Sequence, residues 1–232
     1  MFDLTIRAFN LAETYRVPVF VMADGFMGHM REQIVVPAEN HIKIKNRKIA
    51  EPAATVLERQ DFQDVNVAPM PVFGRGLKAH VTSSCHDEHG MRNLSDPEVM
   101  HRYTMRPIEK ILQHRDDIVR VEDGCENVNV ALVSCGTVSR CARAAAQLAQ
   151  NEGLKVGTLR LLTAWPFADR EIRAVAEQID HMLVLENNTG QLYPYSKAEA
   201  AHACRVSFLG PQILGQIHDP KYILGHIKEM IQ

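Results

Sequence analysis

The chain lacks any long apolar run. No stretch approaches the ~18 residues that a membrane-crossing helix needs, so a membrane span is excluded and no membrane partner is expected. It also lacks an excess of either charge: 26 basic and 28 acidic residues give a net charge of −2. That balance gives no ground for nucleic acid or a polybasic membrane contact. Paired cysteine motifs are missing. The five cysteines (Cys85, Cys125, Cys135, Cys141 and Cys204) are odd in number and irregularly spaced, with no CxxC. Zinc ribbons and four-thiolate iron–sulfur sites are therefore unsupported, and no metal is expected on this chain. Reduced, buried thiols in a cytoplasmic protein are the plain reading. The opening MFDLTIRAFNLAETY has neither the charged start nor the apolar core of a secretory signal. GxGxxG is absent, which disfavours a dinucleotide fold, and GxxxxGK[ST] is absent, which excludes the P-loop route to nucleotide hydrolysis.

What is present is ordinary globular material, 46% hydrophobic and 23% charged over 232 residues. Residues 2–15 carry apolar positions at helical steps (Phe2, Ile6, Phe9, then Ala12 or Tyr15) and predict an amphipathic helix. Val17 to Met22 is a continuous apolar run of strand length, ended by Asp24-Gly25. A helix feeding a fully apolar strand is the local signature of a parallel α/β sheet. Residues 1–34 thus read as a remnant of a larger α/β domain.

Residues 35–122 hold six of the eleven prolines and little periodicity, and read as an irregular connector. Within it, the basic alternating stretch His41 to Lys48 predicts an exposed edge strand, with phosphate binding as the other reading. Residues 97–115 predict a helix with Val99, Tyr103, Arg106, Ile108, Ile111 and Leu112 on one face, broken or kinked at Pro107.

Residues 123–232 are regular. Strands are predicted at 128–133, 156–162, 181–186 and 205–209. Helices are predicted at 138–151, from an Asp169 cap to about Gln178, from the 187–191 loop to about Cys204, and at 220–231. Strand and helix in alternation predict an α/β fold with one doubly wound parallel sheet.

In such a sheet, ligands and partners meet the loops at the carboxyl ends of the strands: SCGTVS, TAWPF, ENNTGQ and GPQ. Glu186, Asn188, Gly190 and Gln191 form a strand end, a turn and a helix start, suited either to holding an anion or partner carbonyl or to capping by Asn188 or Thr189. Trp165, the one tryptophan, suits a protein contact or packing beneath its loop. In the connector, Ser83 to Gly90 contains Cys85, His86, Asp87, Glu88 and His89. A polar turn, a loop facing substrate or another subunit, a Cys85–His86 nucleophile pair and a metal site are its readings, the metal weakest because HExxH spacing is absent.

Five stretches in order resemble the alpha subunit of the 2-oxoacid:ferredoxin oxidoreductases, most of all the 2-oxoglutarate type. They are FNLAETYRVPVFVMADGFMGHMRE at 9–32, SSCHDEHGMRN at 83–93, GTVSRCARAA at 136–145, GLKVGTLRLLTAWPF at 153–167 and LVLENNTGQLYP at 183–194. His86-Asp87-Glu88 with Gly90 matches that family's His-Asp-Glu-x-Gly turn. Glu186, Asn188, Gly190 and Gln191 match its Glu-x-Asn-x-Gly-Gln loop. The resemblance implies a thiamine diphosphate enzyme that decarboxylates a 2-oxoacid, passes electrons through iron–sulfur clusters to ferredoxin and forms an acyl-coenzyme A. It implies a transketolase C-terminal-like domain at 123–232 and, at 1–34, the end of a pyrimidine-binding domain. Thiamine diphosphate, Mg and the clusters are then expected mainly on other subunits, the beta subunit above all.

The family's pyrimidine-binding half is longer than the 1–24 segment that matches it here. The chain is therefore expected to be a portion of an alpha subunit, inactive by itself, with no catalytic residue to carry over. Two alternatives stand beside this: a non-catalytic assembly module, and a piece of a transketolase-like enzyme, which the turn at 86–90 and the loop at 186–191 disfavour.

Overall fold

Five strands form one sheet in the computed structural model, which describes residues 1–50, 67, 69–76, 84–87 and 91–231. They are β1 (Val121–Gly124), β2 (Val130–Cys135), β3 (Val156–Leu161), β4 (His181–Leu185) and β5 (Arg205–Leu209), in the order β1-β3-β2-β4-β5. The helices are α1 (Phe2–Tyr15), α2 (Gly25–His29), α3 (Pro97–Gln113), α4 (Arg115–Ile118), α5 (Val138–Asn151), α6 (Asp169–Ala176), α7 (Tyr193–Ala200) and α8 (Pro220–Ile231).

Strands β3, β2, β4 and β5 are parallel, with Val130 opposite both Val156 and His181, and His181 opposite Arg205. Their near-continuous apolar sequence follows from burial on both faces. Successive side chains alternate: Ala131, Val133, Leu159, Met182 and Val184 pack on α6 and Ala200 of α7, while Val130, Leu132, Val156, Leu183 and Leu185 pack on α5 and α8. A fully buried leucine such as Leu132 or Leu183 contributes about 2 kcal/mol. The small face of α5 (Ala142, Ala145, Ala149) lets that helix lie close to the sheet.

The expectation of an all-parallel sheet needs one correction. β1 adds an edge strand antiparallel to β3, Val121 opposite Leu161 and Gly124 opposite Thr158. The cause is the length of the link from β1 to β2, residues 125–129. So short a link cannot carry the chain back along the sheet, as a parallel crossover must, so β1 ends on the edge where β2 begins. Gly157 permits the passage. A Cβ there would strike the Gly124 carbonyl oxygen and lie 3.0 Å from Cys125 Cα.

Two compact units make up the chain: Met1–Met22 with Glu32–Ile118, and Ala23–Arg31 with Val119–Gln232. The segment 23–31 thus clusters with the sheet, whereas the sequence placed it inside 1–34.

In the first unit, Tyr15, Ile111 and Ile118 form a small core with Leu11, Val17 and Val67. The Tyr15 hydroxyl donates to Asp117 at 2.6 Å, and Arg7 donates to the carbonyls of Asp117 and Ile118 at 2.7 and 3.0 Å. Helix α1 buries Ala8 and Tyr15 and leaves Phe9 exposed, so the predicted face is turned.

Residues 17–22 form no strand. Among the described residues nothing pairs with them, and Phe20 and Met22 are 81% and 82% exposed. An apolar run becomes a strand only where neighbouring strands take up its backbone groups. The predicted edge strand at 41–48 is also absent. Asn10 takes the place of a strand neighbour there: its carboxamide donates to Lys43 O at 2.7 Å and accepts from Lys45 N at 2.8 Å. Arg47 pairs with Glu13, and just beyond the segment Ile49 forms a parallel bridge with Met70.

Helix α3 runs unbroken through Pro107. The proline removes one hydrogen bond, while the burial of Val99 and Ile111 on either side anchors the helix. Ile108 and Leu112 are exposed rather than buried. Asp96 caps α3, its carboxylate accepting from Glu98 N at 2.9 Å. Asp169, predicted as a cap, is instead the first residue of α6, preceded by Ala168, and pairs with Arg173 one turn on.

Candidate functional site

The carboxyl edge of the parallel strands gathers most of the residues singled out in the sequence. The winding reverses between the parallel strands β2 and β4: the connection from β2 leads to β3 on one side, and that from β4 leads to β5 on the other. In open α/β sheets that switch point is where ligands sit.

The loop after β4 is built inward. Glu186 is 2% exposed. Its carboxylate accepts from the backbone amides of Gln191 (3.2 Å), Leu192 (3.0 Å) and Tyr193 (2.9 Å) and from Asn188 Nδ2 (3.1 Å). Asn188 Oδ1 accepts in turn from Gly190 N at 2.7 Å and Gln191 N at 3.1 Å. Gly190 adopts φ +93°, where an L side chain is strained, and a Cβ there would sit 3.4 Å from the Phe208 ring. The amides at this helix start are taken by the chain's own Glu186 carboxylate. Such charge-assisted bonds satisfy both the buried carboxylate and the first amides of α7.

Asp24 reaches the same edge. It caps α2 through Met27 N at 3.0 Å, and it accepts a hydrogen bond from the Thr137 hydroxyl in the turn after β2. Gly136 in that turn has φ +60°. Beside it, burial lifts the Cys135 thiol above the usual range, and the carboxylates of Glu186 and Asp24 push it the same way. A raised thiol pKa disfavours the thiolate that a cysteine nucleophile needs. The buried His218, in the loop after β5, bonds through Nε2 to Glu186 O at 3.1 Å, while its Nδ1 has no partner among the described residues.

Trp165 stands on the loop after β3 and is 60% exposed. Its neighbour Phe167 packs 5.7 Å from the Tyr195 ring. The tryptophan is thus presented outward, and Phe167 anchors the loop.

A cleft of about 620 Å³ opens at the switch point. Asp24, Gly25, Phe26, His29 and Met30 line it from the 23–31 segment, and Asn187, Gly215 and Gln216 from the loops after β4 and β5. The sequence pointed to the 186–191 loop but not to Asp24, which reads there only as the end of an apolar run, nor to His218, which no motif singles out. A polar hollow of about 210 Å³ lies elsewhere on the sheet, where Glu122 pairs with Arg160 at 3.1 Å near the bonded hydroxyls of Ser134 and Ser139.

The other predicted group, at residues 83–90, belongs to the first unit and is not part of this edge. His86 and Arg92 form an antiparallel bridge, and Asp87 Oδ1 accepts from Met91 N at 2.9 Å. His86 is buried edge-on against Tyr103, ring centres 5.0 Å apart, with Nδ1 3.3 Å from Ser84 O. Ser83, Glu88, His89 and Gly90 lie outside the described residues. Among the described residues no group of three His, Cys, Asp or Glu side chains is placed to hold a metal ion. The rim carboxylates, Asp24 and Glu186, are engaged by the chain's own donors, so this edge does not fit a metal–diphosphate group. Among the described residues no helix is long and apolar enough to cross a membrane.

Comparison with known proteins gives the class. Residues 1–106 match the family described as pyruvate flavodoxin/ferredoxin oxidoreductase, thiamine diP-binding, and residues 128–223 match pyruvate:ferredoxin oxidoreductase core domain II. In fold, the chain superposes on a chain of the 2-oxoglutarate:ferredoxin oxidoreductase from Magnetococcus marinus, solved with 2-oxoglutarate, coenzyme A and succinyl-CoA bound. The TM-score is 0.82 at 27% identity, over 96% of this chain and 39% of that one. The chain belongs to the 2-oxoacid:ferredoxin oxidoreductase family. Within it the chain is of the alpha-subunit type. It is 42% identical to the 2-oxoglutarate synthase subunit KorA of Methanothermobacter thermautotrophicus over 99% of its own length and 60% of the relative's. It is 35% identical to the KorA subunit of Methanocaldococcus jannaschii over 95% and 58%. A ketoisovalerate oxidoreductase subunit VorB from Methanothermobacter marburgensis is 28% identical over 99% and 57%. The chain thus spans about 60% of the length of the curated relatives it matches.

Proposed function

We propose that this chain is part of the alpha subunit of a 2-oxoglutarate:ferredoxin oxidoreductase. The reaction would convert 2-oxoglutarate, coenzyme A and two oxidised ferredoxins to succinyl-CoA, carbon dioxide, a proton and two reduced ferredoxins. The observation that carries the choice of oxoacid is the 42% identity along nearly the whole chain to a 2-oxoglutarate synthase subunit, against 28% to a ketoisovalerate subunit. Thiamine diphosphate would supply the electron sink for decarboxylation. With Mg and the iron–sulfur clusters, it would be held mainly by the beta subunit and the rest of the complex, in keeping with a rim whose carboxylates are already bonded internally.

In this reading the chain's own residues position and seal. Glu186 and Asn188 fix the 186–193 loop in one shape, and Thr137 with Asp24 pins the 23–31 segment to the sheet. The exposed Trp165 offers an aromatic contact to the beta subunit. The loop that carries His86 and Asp87 would face substrate or a neighbouring subunit. Residues 1–34 would be the end of the pyrimidine-binding domain, 35–122 the connector, and 123–232 the transketolase C-terminal-like domain.

The test is dye reduction by the full-length subunit co-expressed with its partners, in the presence of coenzyme A. We expect 2-oxoglutarate to be turned over faster than pyruvate or a branched 2-oxoacid. A faster rate with either of those overturns the substrate assignment, and turnover by the 232-residue chain alone overturns its role as a dependent part. Trp165 emission should shift when the beta subunit is added, and unchanged emission would remove Trp165 from the interface.

A further inference from the structure

The basic stretch at 41–48 lies in the first unit, away from the sheet and its carboxyl edge. Residues 40–50 contain no acidic side chain. Lys43, Lys45 and Lys48 are exposed, and among the described residues none of the three has an ion-pair partner. A stretch of this kind is ordinarily a solvated loop, since its own side chains bury little; Ile44 is 65% exposed. The backbone is nevertheless held along its length. Asn10 of α1 accepts from Lys45 N and donates to Lys43 O, and Glu13 accepts from Arg47 N at 3.2 Å as well as from the Arg47 guanidinium. Beyond them Met70 N donates to Lys48 O at 2.8 Å, and Met70 O accepts from Ala50 N at 3.0 Å. The fold thus fixes in place a segment that adds almost nothing to the core.

What is fixed is a spacing of charge. Residues two apart on an extended backbone stand about 7 Å apart on one face, so Lys43 and Lys45 are kept side by side where a free chain would let them separate. That arrangement is unfavourable alone and favourable against carboxylates at the same interval, which is the interval of alternate residues in an extended peptide. Other anions fit less well. The stretch has no aromatic side chain on which a base could stack, and its one arginine, the residue suited to a bidentate phosphate contact, is engaged by Glu13. Lysines set in a row also do not converge on one centre, as a site for a single phosphate requires. We propose that residues 41–48 are a docking strip for an acidic, extended segment of a protein partner. Its alternate carboxylates meet Lys43 and Lys45, and a further one meets Lys48.

The inference does not rest on the oxidoreductase assignment, because the strip uses none of the residues at the carboxyl edge. The experiment is fluorescence-anisotropy titration of the chain with a labelled peptide of alternating Glu and Ser. Its Lys–Ser counterpart and a labelled oligothymidylate are titrated in parallel, and inorganic phosphate at constant ionic strength serves as competitor. The Glu peptide should bind saturably, and more weakly as salt is raised. The Lys peptide should not bind. The double variant Lys43→Glu/Lys45→Glu should weaken the Glu peptide about tenfold. Lys155→Glu/Lys221→Glu, at exposed lysines of the sheet unit, should leave it unchanged. Asn10→Ala keeps every lysine and releases the backbone, and should weaken the peptide about threefold. A Glu peptide that fails to bind, equal loss in the two double variants, full affinity in Asn10→Ala, tighter binding of the oligothymidylate, or displacement of the peptide by phosphate would each overturn the assignment.

Discussion

The carboxylate of Glu186 and the carboxamide of Asn188 divide the backbone amides of residues 190–193 between them, and Asn188 also donates to Glu186 at 3.1 Å. A strand end, a turn and the first turn of α7 are thereby closed around one buried charge. His218 adds the loop after β5 to the same structure through the Glu186 carbonyl.

Glu186→Gln should cost about 2 kcal/mol, since a neutral amide replaces a carboxylate that accepts from three backbone N–H groups, and its NH2 faces donors. Urea unfolding of the variant, read as a shift of midpoint at constant slope, measures it. A midpoint unchanged from the parent would show that the buried charge is not what holds the loop.

Gly157→Ala should destabilise the sheet unit by about 1–3 kcal/mol through a clash with the Gly124–Cys125 backbone, which cannot swing away as a side chain can. Thermal unfolding checks this, and Gly153→Ala is no control because φ there is +83°. Gly225, with open space around its Cβ position, is the control.

Burial and the hydrogen bond to Asp117 push the Tyr15 phenol from 10.0 to about 12. Because the folded value lies above the unfolded one, the neutral phenol favours the fold. This stabilisation is complete below about pH 10 and is lost as the pH rises from about 10 through 12. Tyrosinate absorbance should show one late-titrating residue that disappears in Tyr15→Phe, and the variant should lose about 1 kcal/mol at neutral pH. A titration with no late component would contradict the Tyr15–Asp117 bond.

Asn10→Ala should free the basic segment from α1, because both carboxamide bonds to Lys43 and Lys45 go at once. Trypsin should then cut after Lys43 and Lys45 faster than in the parent, while the global unfolding midpoint moves by less than about 1 kcal/mol. Equal cleavage rates would mean that Glu13 and Arg47 hold the segment unaided.

The regular half was readable from local pattern. The strands near 130, 156, 181 and 205 and the helices at 138–151 and 220–231 are fixed by apolar runs that must be buried on both faces, by alanines at helical spacing and by glycine or proline at the ends. The family was legible too, in ordered motifs such as ENNTGQ at 186–191. What local pattern could not supply was any relationship set by pairing partners far along the chain. Val17 to Met22 is as apolar as β4, yet it makes no strand among the described residues, because strand formation depends on neighbours that no run of side chains specifies. The Lys43–Lys45 segment takes its backbone partners from a helix side chain 33 and 35 residues earlier. Asp24 meets Thr137 across 113 residues, and Glu186 turns inward to the amides that sequence alone would offer to a ligand. Sequence determined which segments could be buried. Tertiary structure decided which polar groups spend their hydrogen bonds on the chain itself and which are left to face the cleft, since that depends on distances only the completed fold sets.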